Sequence, residues 1–133
     1  MLQKIDHLGI AVSSIDDAIP FYRDTLGMAL EGREEVADQR VKVAFLAIGE
    51  SKIELLEPTS PESPLAKFLR EKGAGIHHVA YRVRDIEAAM AGLAAAGARM
   101  IDAAPRTGAH GARIAFVHPK SSGGVLTELC QRP

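Results

Sequence analysis

The 133-residue chain has one cysteine and no excess of either charge, and each shortage closes a class of function. The single cysteine, Cys130, cannot form an internal disulfide, so the chain is read as a protein of the reducing cytoplasm. Sixteen Lys and Arg stand against seventeen Asp and Glu, and a formal charge of -1 provides no global field for nucleic acid. No uncharged apolar run reaches the ~18 residues of a membrane span. The longest bland stretch, Ala88 to Ala98, is cut by Gly92 and Gly97. The opening Met1-Leu2-Gln3-Lys4-Ile5-Asp6 lacks the apolar centre of a secretory signal. What is present is ordinary: 47% hydrophobic and 25% charged residues, the balance of a globular domain. The length suits one domain, residues 1–133, with neither a nucleic-acid nor a membrane partner.

The chain repeats itself. Ile5-Asp6-His7-Leu8-Gly9-Ile10-Ala11-Val12 is answered 71 residues later by Ile76-His77-His78-Val79-Ala80-Tyr81-Arg82-Val83. Ile15-Asp16 answers Ile86-Glu87, and Val43-Ala44-Phe45-Leu46 answers Ile114-Ala115-Phe116-Val117, both at the same offset. Ile53-Glu54-Leu55-Leu56 matches Thr127-Glu128-Leu129-Cys130 at an offset of 74, the extra residues falling in the turn Pro119–Gly124. Each copy reads as a strand, a helix ended by Gly27 or Gly97, then three strands. In the first copy these are a strand over 5–12, a helix over 15–26 capped by Ser14, and strands near 29–35, 40–48 and 52–57. The Pro-rich segment 58–64 leads into a short helix, about 64–72, that connects the copies. The expected fold is α+β: one domain of two βαβββ modules (about 4–58 and 75–131, connector 59–74), whose sheets curl around a central metal-binding cleft.

The repeat singles out four residues. His7 and His78 hold equivalent places on the first strand of each module, and Glu54 and Glu128 on the last. Taken singly, each reads as a packed or solvated side chain. Placed symmetrically in apolar runs, they pose a cost of burying unpaired imidazoles and mutually repelling carboxylates. A divalent metal resolves both, and four ligands leave open positions for water or substrate. His77 faces the other side of its strand from His78, and its counterpart is Asp6.

The paired pattern with His, Glu, His and Glu resembles the vicinal oxygen chelate superfamily, which includes the glyoxalase I and methylmalonyl-CoA epimerase families. The segment Gly108-Ala109-His110-Gly111-Ala112-Arg113-Ile114-Ala115-Phe116-Val117-His118-Pro119-Lys120 is similar to the epimerase family. So are Gly123-Gly124-Val125-Leu126-Thr127-Glu128-Leu129, Ile5-Asp6-His7-Leu8-Gly9-Ile10 and Ile53-Glu54-Leu55-Leu56-Glu57-Pro58. The resemblance implies interconversion of (2R)- and (2S)-methylmalonyl-CoA by removal of the C2 proton through a metal-stabilised enolate. It implies a divalent ion (Co²⁺, with Mn²⁺, Ni²⁺, Mg²⁺ and Fe²⁺ also suited) on His7, Glu54, His78 and Glu128, with Glu128 as a base. It further implies an acyl-CoA substrate met by Arg113, His118 and Lys120, and a cytoplasmic homodimer. For the opposite face, His110, Lys42 and a metal-bound water are the candidates. Lys67, Arg70 and Lys72 are candidates for CoA phosphates, against the reading of a solvated helix face.

Two departures stand out. Some epimerases carry Gln where this chain has Glu54, which makes the site one charge more negative. Others have a glutamate, proposed as a base, where this chain has Val43 beside Lys42. The alternatives are a glyoxalase-I-type lyase acting on a glutathione hemithioacetal, a ring-cleaving dioxygenase, against which Glu54 argues, and a metal-free small-molecule binder of the same fold.

Overall fold

The structure, a computed structural model, describes residues 1–133. Its elements run β1 (Leu2–Ala11), α1 (Ile15–Pro20), β2 (Ala29–Val36), β3 (Val41–Ile48), β4 (Ser51–Pro58), α2 (Pro64–Lys72), β5 (Gly75–Val83), α3 (Ile86–Ala95), β6 (Arg106–Thr107), β7 (Arg113–Val117) and β8 (Thr127–Gln131). This is the α+β order βαβββ, helix, βαβββ. No helix is long and apolar enough to cross a membrane. The chain divides into two compact units, His7–His77 and a second of Met1–Asp6 with His78–Pro133. Each module's first strand thus begins in the other module's unit.

In the unit His7–His77 the strand order is β2-β3-β4-β1, with β1 and β4 parallel and the others antiparallel. In the second unit it is β5-β8-β7-β6, with β5 and β8 parallel. The repeat survives in the register. Gly9 pairs with Glu54 in the first unit, and its counterpart Ala80 pairs with Glu128 in the second. On the other side Phe45 faces Glu54, and Phe116 faces Glu128. A one-residue slip in either module would turn its glutamate to the opposite face.

The two cores are built from the same positions. Val12, Ile15, Ile19, Ala44 and Leu55 pack in the first, and Val83, Ile86, Met90, Ala115 and Leu129 in the second. In each module one side of the sheet is closed by its helix, which leaves the alternate residues of the same strands for the site.

Helix starts repeat as well. Ser14 and Asp85 cap α1 and α3 by accepting from Asp17 N and Ala88 N. The N–H of Ile15 donates to Glu57 Oε1, and that of Ile86 to Gln131 Oε1, each at 2.8 Å. Each last strand thus secures the helix of its own module. Ile15 is buried, so Glu57→Ala leaves an N–H without its acceptor and is expected to cost about 1–3 kcal/mol in urea unfolding. Glu57→Gln keeps an acceptor oxygen and should recover most of that loss.

The first helix is shorter than the sequence pattern suggests. Regular α-helix ends at Pro20, and Phe21–Thr25 continues as a π-helical turn in which Leu26 N donates to Phe21 O at 2.9 Å. Pro20 has no N–H to give the ladder, and the chain widens just after the gap. Gly27 and Gly97 end the helical segments at φ 81° and 93°, where a side chain would be strained. The connector helix begins where Ser63, fully buried, accepts from Ala66 N at 3.0 Å.

Candidate active site

Each unit holds one buried imidazole–carboxylate pair. In the first, His7 Nδ1 lies 3.1 Å from Glu54 Oε2. In the second, His78 Nε2 lies 3.4 Å from Glu128 Oε1. All four residues are at most 5% exposed. The pairing follows from register: the glutamate sits across from the residue two beyond the histidine, so both side chains leave the same face of adjacent parallel strands. The rings are turned differently, presenting Nδ1 in one unit and Nε2 in the other. In the second unit the edge-on ring of Phe116, 5.7 Å away, helps set His78.

These pairs fit a divalent ion by donor chemistry and spacing. Imidazole nitrogen and carboxylate oxygen are the donors such ions take. Two ligand atoms side by side on one ion, each about 2.0–2.2 Å from it, lie roughly 3 Å apart. The separations within the two pairs match that figure.

The other candidates divide. Lys120 is exposed, and its backbone N–H donates to His118 Nδ1 at 3.1 Å. Arg113 is ion-paired with Glu87 of α3 on the surface. His110 sits exposed in the tight turn Ala109–Gly111 at φ 56°, a left-handed conformation uncommon for a side-chain-bearing residue. Lys42 is exposed on β3, between Glu35 of β2 and Glu57 of β4. Its neighbour Val43 is 2% exposed and offers no group that can take a proton. Of the connector-helix cations, Arg70 donates to Pro61 O at 2.9 Å and Lys72 lies over the Phe68 ring at 5.5 Å. Only Lys67 of the three lacks such a local tie among these contacts.

His77 packs edge-on against Phe68 with centroids 4.9 Å apart, and burial, then Lys72, push its pKa below the ordinary histidine value. It belongs to the packing of the connector helix. Sequence reasoning passed over a cluster in the second unit. Asp6 is 1% exposed and accepts from Arg82 Nε at 2.9 Å, Arg132 Nε at 3.1 Å and Arg132 Nη2 at 2.5 Å. Its signal was an acidic residue inside an apolar strand, with Arg132 in step with Glu128 and Cys130.

The family model for the glyoxalase/bleomycin resistance protein/dioxygenase superfamily matches residues 6–116. The chain is 42% identical to the ethylmalonyl-CoA/methylmalonyl-CoA epimerase of Cereibacter sphaeroides, over 98% of this chain and 99% of that one. This chain belongs to the methylmalonyl-CoA epimerase family of that superfamily. Solved structures agree. Methylmalonyl-CoA epimerase from Mycobacterium tuberculosis superposes with a TM-score of 0.96 at 40% identity, covering 99% of this chain and 89% of that one. A variant of the Streptomyces coelicolor epimerase, in complex with 2-nitronate-propionyl-CoA, gives the same TM-score and identity over 99% of both chains. Family membership accounts for the fold.

Proposed function

We propose that this chain is a divalent-metal-dependent epimerase that interconverts the (2R) and (2S) forms of methylmalonyl-CoA. The observation that carries the reading is the pair of equivalent, buried His–Glu sites within a full-length match to epimerases. His7, Glu54, His78 and Glu128 are the proposed ligands of one ion. Co²⁺ is the first ion to test, since imidazole and carboxylate serve Mn²⁺, Ni²⁺, Mg²⁺ and Fe²⁺ as well. When bound, the ion supplies a positive charge for the thioester oxygen as negative charge builds there.

The side chains have the remaining work. Glu128 takes the C2 proton on one face. Inversion requires a second group on the other, because the proton must return from the side opposite its departure. Lys42 and His110 are the ionisable candidates, and the apolar Val43 is not one. His118 and Lys120 are proposed to hold the acyl-CoA anion. Arg113 joins them only by exchanging Glu87 for substrate. The count of one cysteine in the chain is the ground for proposing a cytoplasmic setting, and the family resemblance supports a homodimer.

Proton NMR of methylmalonyl-CoA in deuterated buffer tests the reading. Protein stripped of metal and reloaded with Co²⁺ should wash out the C2 proton signal, and stripped protein should not. Exchange no faster than background, from protein shown to hold Co²⁺, overturns it.

A further inference from the structure

The proposed chemistry gives Asp6 nothing to do, yet the fold surrounds its carboxylate with charge. Three N–H groups from two guanidiniums reach it, at 2.5–3.1 Å, while Asp6 itself is 1% exposed. The Arg side chains retain 28% and 19% exposure, so the cluster is a buried anion under two half-buried cations. Arg132 contributes both Nε and Nη2, a two-pronged grip that fixes direction as well as distance.

The position of the cluster matters more than its strength. Residues two apart along a strand share a face and stand about 6.5 Å apart. His78, Ala80 and Arg82 therefore share one face of β5. Glu128 and Cys130 share one face of β8, and Arg132, just past its end, continues that alternation. Ala80 pairs with Glu128, and Arg82 with Cys130, so the two faces coincide. Asp6 thus ties together the two strands that present His78 and Glu128, from the same side and a few residues farther along.

We propose that Asp6 is a positioning residue for the His78–Glu128 pair, acting through Arg82 and Arg132 to hold β5 and β8 in the register that metal binding requires. The inference rests on the epimerase reading for its substrate, but its metal-binding half stands without it. Ligand sets work only when held within about 0.5 Å, and a side chain that fixes the backbone beneath them acts on affinity without touching the ion.

Asp6→Asn keeps the shape and removes the charge that both guanidiniums seek. Titrating the stripped variant with Co²⁺ should show binding weakened about tenfold, the lower end of the effect of removing supports behind metal ligands. Turnover per bound ion should fall about tenfold, with KM within about threefold of wild type, since nothing in the cluster is assigned to substrate. Asp6→Glu, which restores the charge, should recover part of both losses. A cluster that merely stabilises the fold would reduce the number of loaded sites and leave turnover per loaded site alone, which overturns the proposal. So does Co²⁺ affinity within twofold of wild type. Where Asp6→Asn fails to fold, Arg132→Lys retains the charge and loses the two-pronged grip. It should weaken Co²⁺ binding about threefold, and an unchanged affinity counts against the proposal. If wild-type protein binds Co²⁺ yet exchanges no C2 proton, the substrate reading fails while the Co²⁺ titrations still judge Asp6.

Discussion

Glu128→Ala is expected to lose its bound metal and to slow C2-proton exchange by about two to four powers of ten. Glu128 is 4% exposed and faces His78 across 3.4 Å, so its removal leaves a buried imidazole without the carboxylate opposite it. Leaving a buried polar group unsatisfied in this way costs about 1–3 kcal/mol, and the same change deletes the proposed base. Glu128→Gln separates the two roles. An amide oxygen can still coordinate an ion but cannot accept a proton, so that variant should still load with metal, about tenfold more weakly, and lose exchange. Elemental analysis of the purified variants, beside the NMR assay, reads both quantities. Full exchange in Glu128→Ala would remove this residue from the site.

Glu54 should behave differently, although the fold places it equivalently. Glu54→Ala strips His7 of the carboxylate 3.1 Å away and is expected to reduce metal-dependent exchange by about two to four powers of ten. Glu54→Gln retains a ligand oxygen and subtracts one negative charge. Its metal affinity should fall by about tenfold, near 1.4 kcal/mol, because the ion loses a full charge at contact distance. Turnover per bound ion should stay within about threefold or rise, since a less neutralised ion polarises the substrate more strongly. If Glu54→Gln instead lost exchange as completely as Glu128→Gln, Glu54 would be acting in proton transfer. That result would supply the second group that Val43 does not.

The contrast between the two glutamates shows how far symmetry reaches. Backbone register, helix caps and core positions follow the repeat closely: Gly9 with Glu54 as Ala80 with Glu128, and Glu57 on Ile15 as Gln131 on Ile86. Chemistry departs from it. The two imidazoles present different nitrogens to their carboxylates, and an epimerase must treat the two faces of its substrate differently in each direction. A duplicated scaffold supplies matched His–Glu pairs, and substitutions on it supply the asymmetry.

Much of this was legible because it depends on spacing along the chain. An alternation of two along strands, and offsets of 71 and 74 between copies, identify which residues share a face and which are equivalent. Those rules are enough to name His7, Glu54, His78 and Glu128, to divide the chain into βαβββ modules, and to place the connector helix over Pro64–Lys72. The halt of regular helix at Pro20 was also written in the sequence, since proline lacks the N–H an α-helix needs, but the apolar spacing through Leu26 concealed it.

Tertiary structure decided what spacing cannot express. Asp6 and Arg132 are 126 residues apart, and nothing local announces that a carboxylate near one end of the chain is gripped by a guanidinium near the other. Arg113 is read from the sequence as a contact for the acyl-CoA substrate, and α3 brings Glu87 to it. A side chain's partner depends on which backbones are brought alongside, and long-range packing alone sets that. Sequence by itself therefore determined the repeated architecture and the identity of the four proposed ligands. Only the fold decided which charges are already satisfied within the protein, because a charge is neutralised by its neighbours in space and not by its neighbours in the chain.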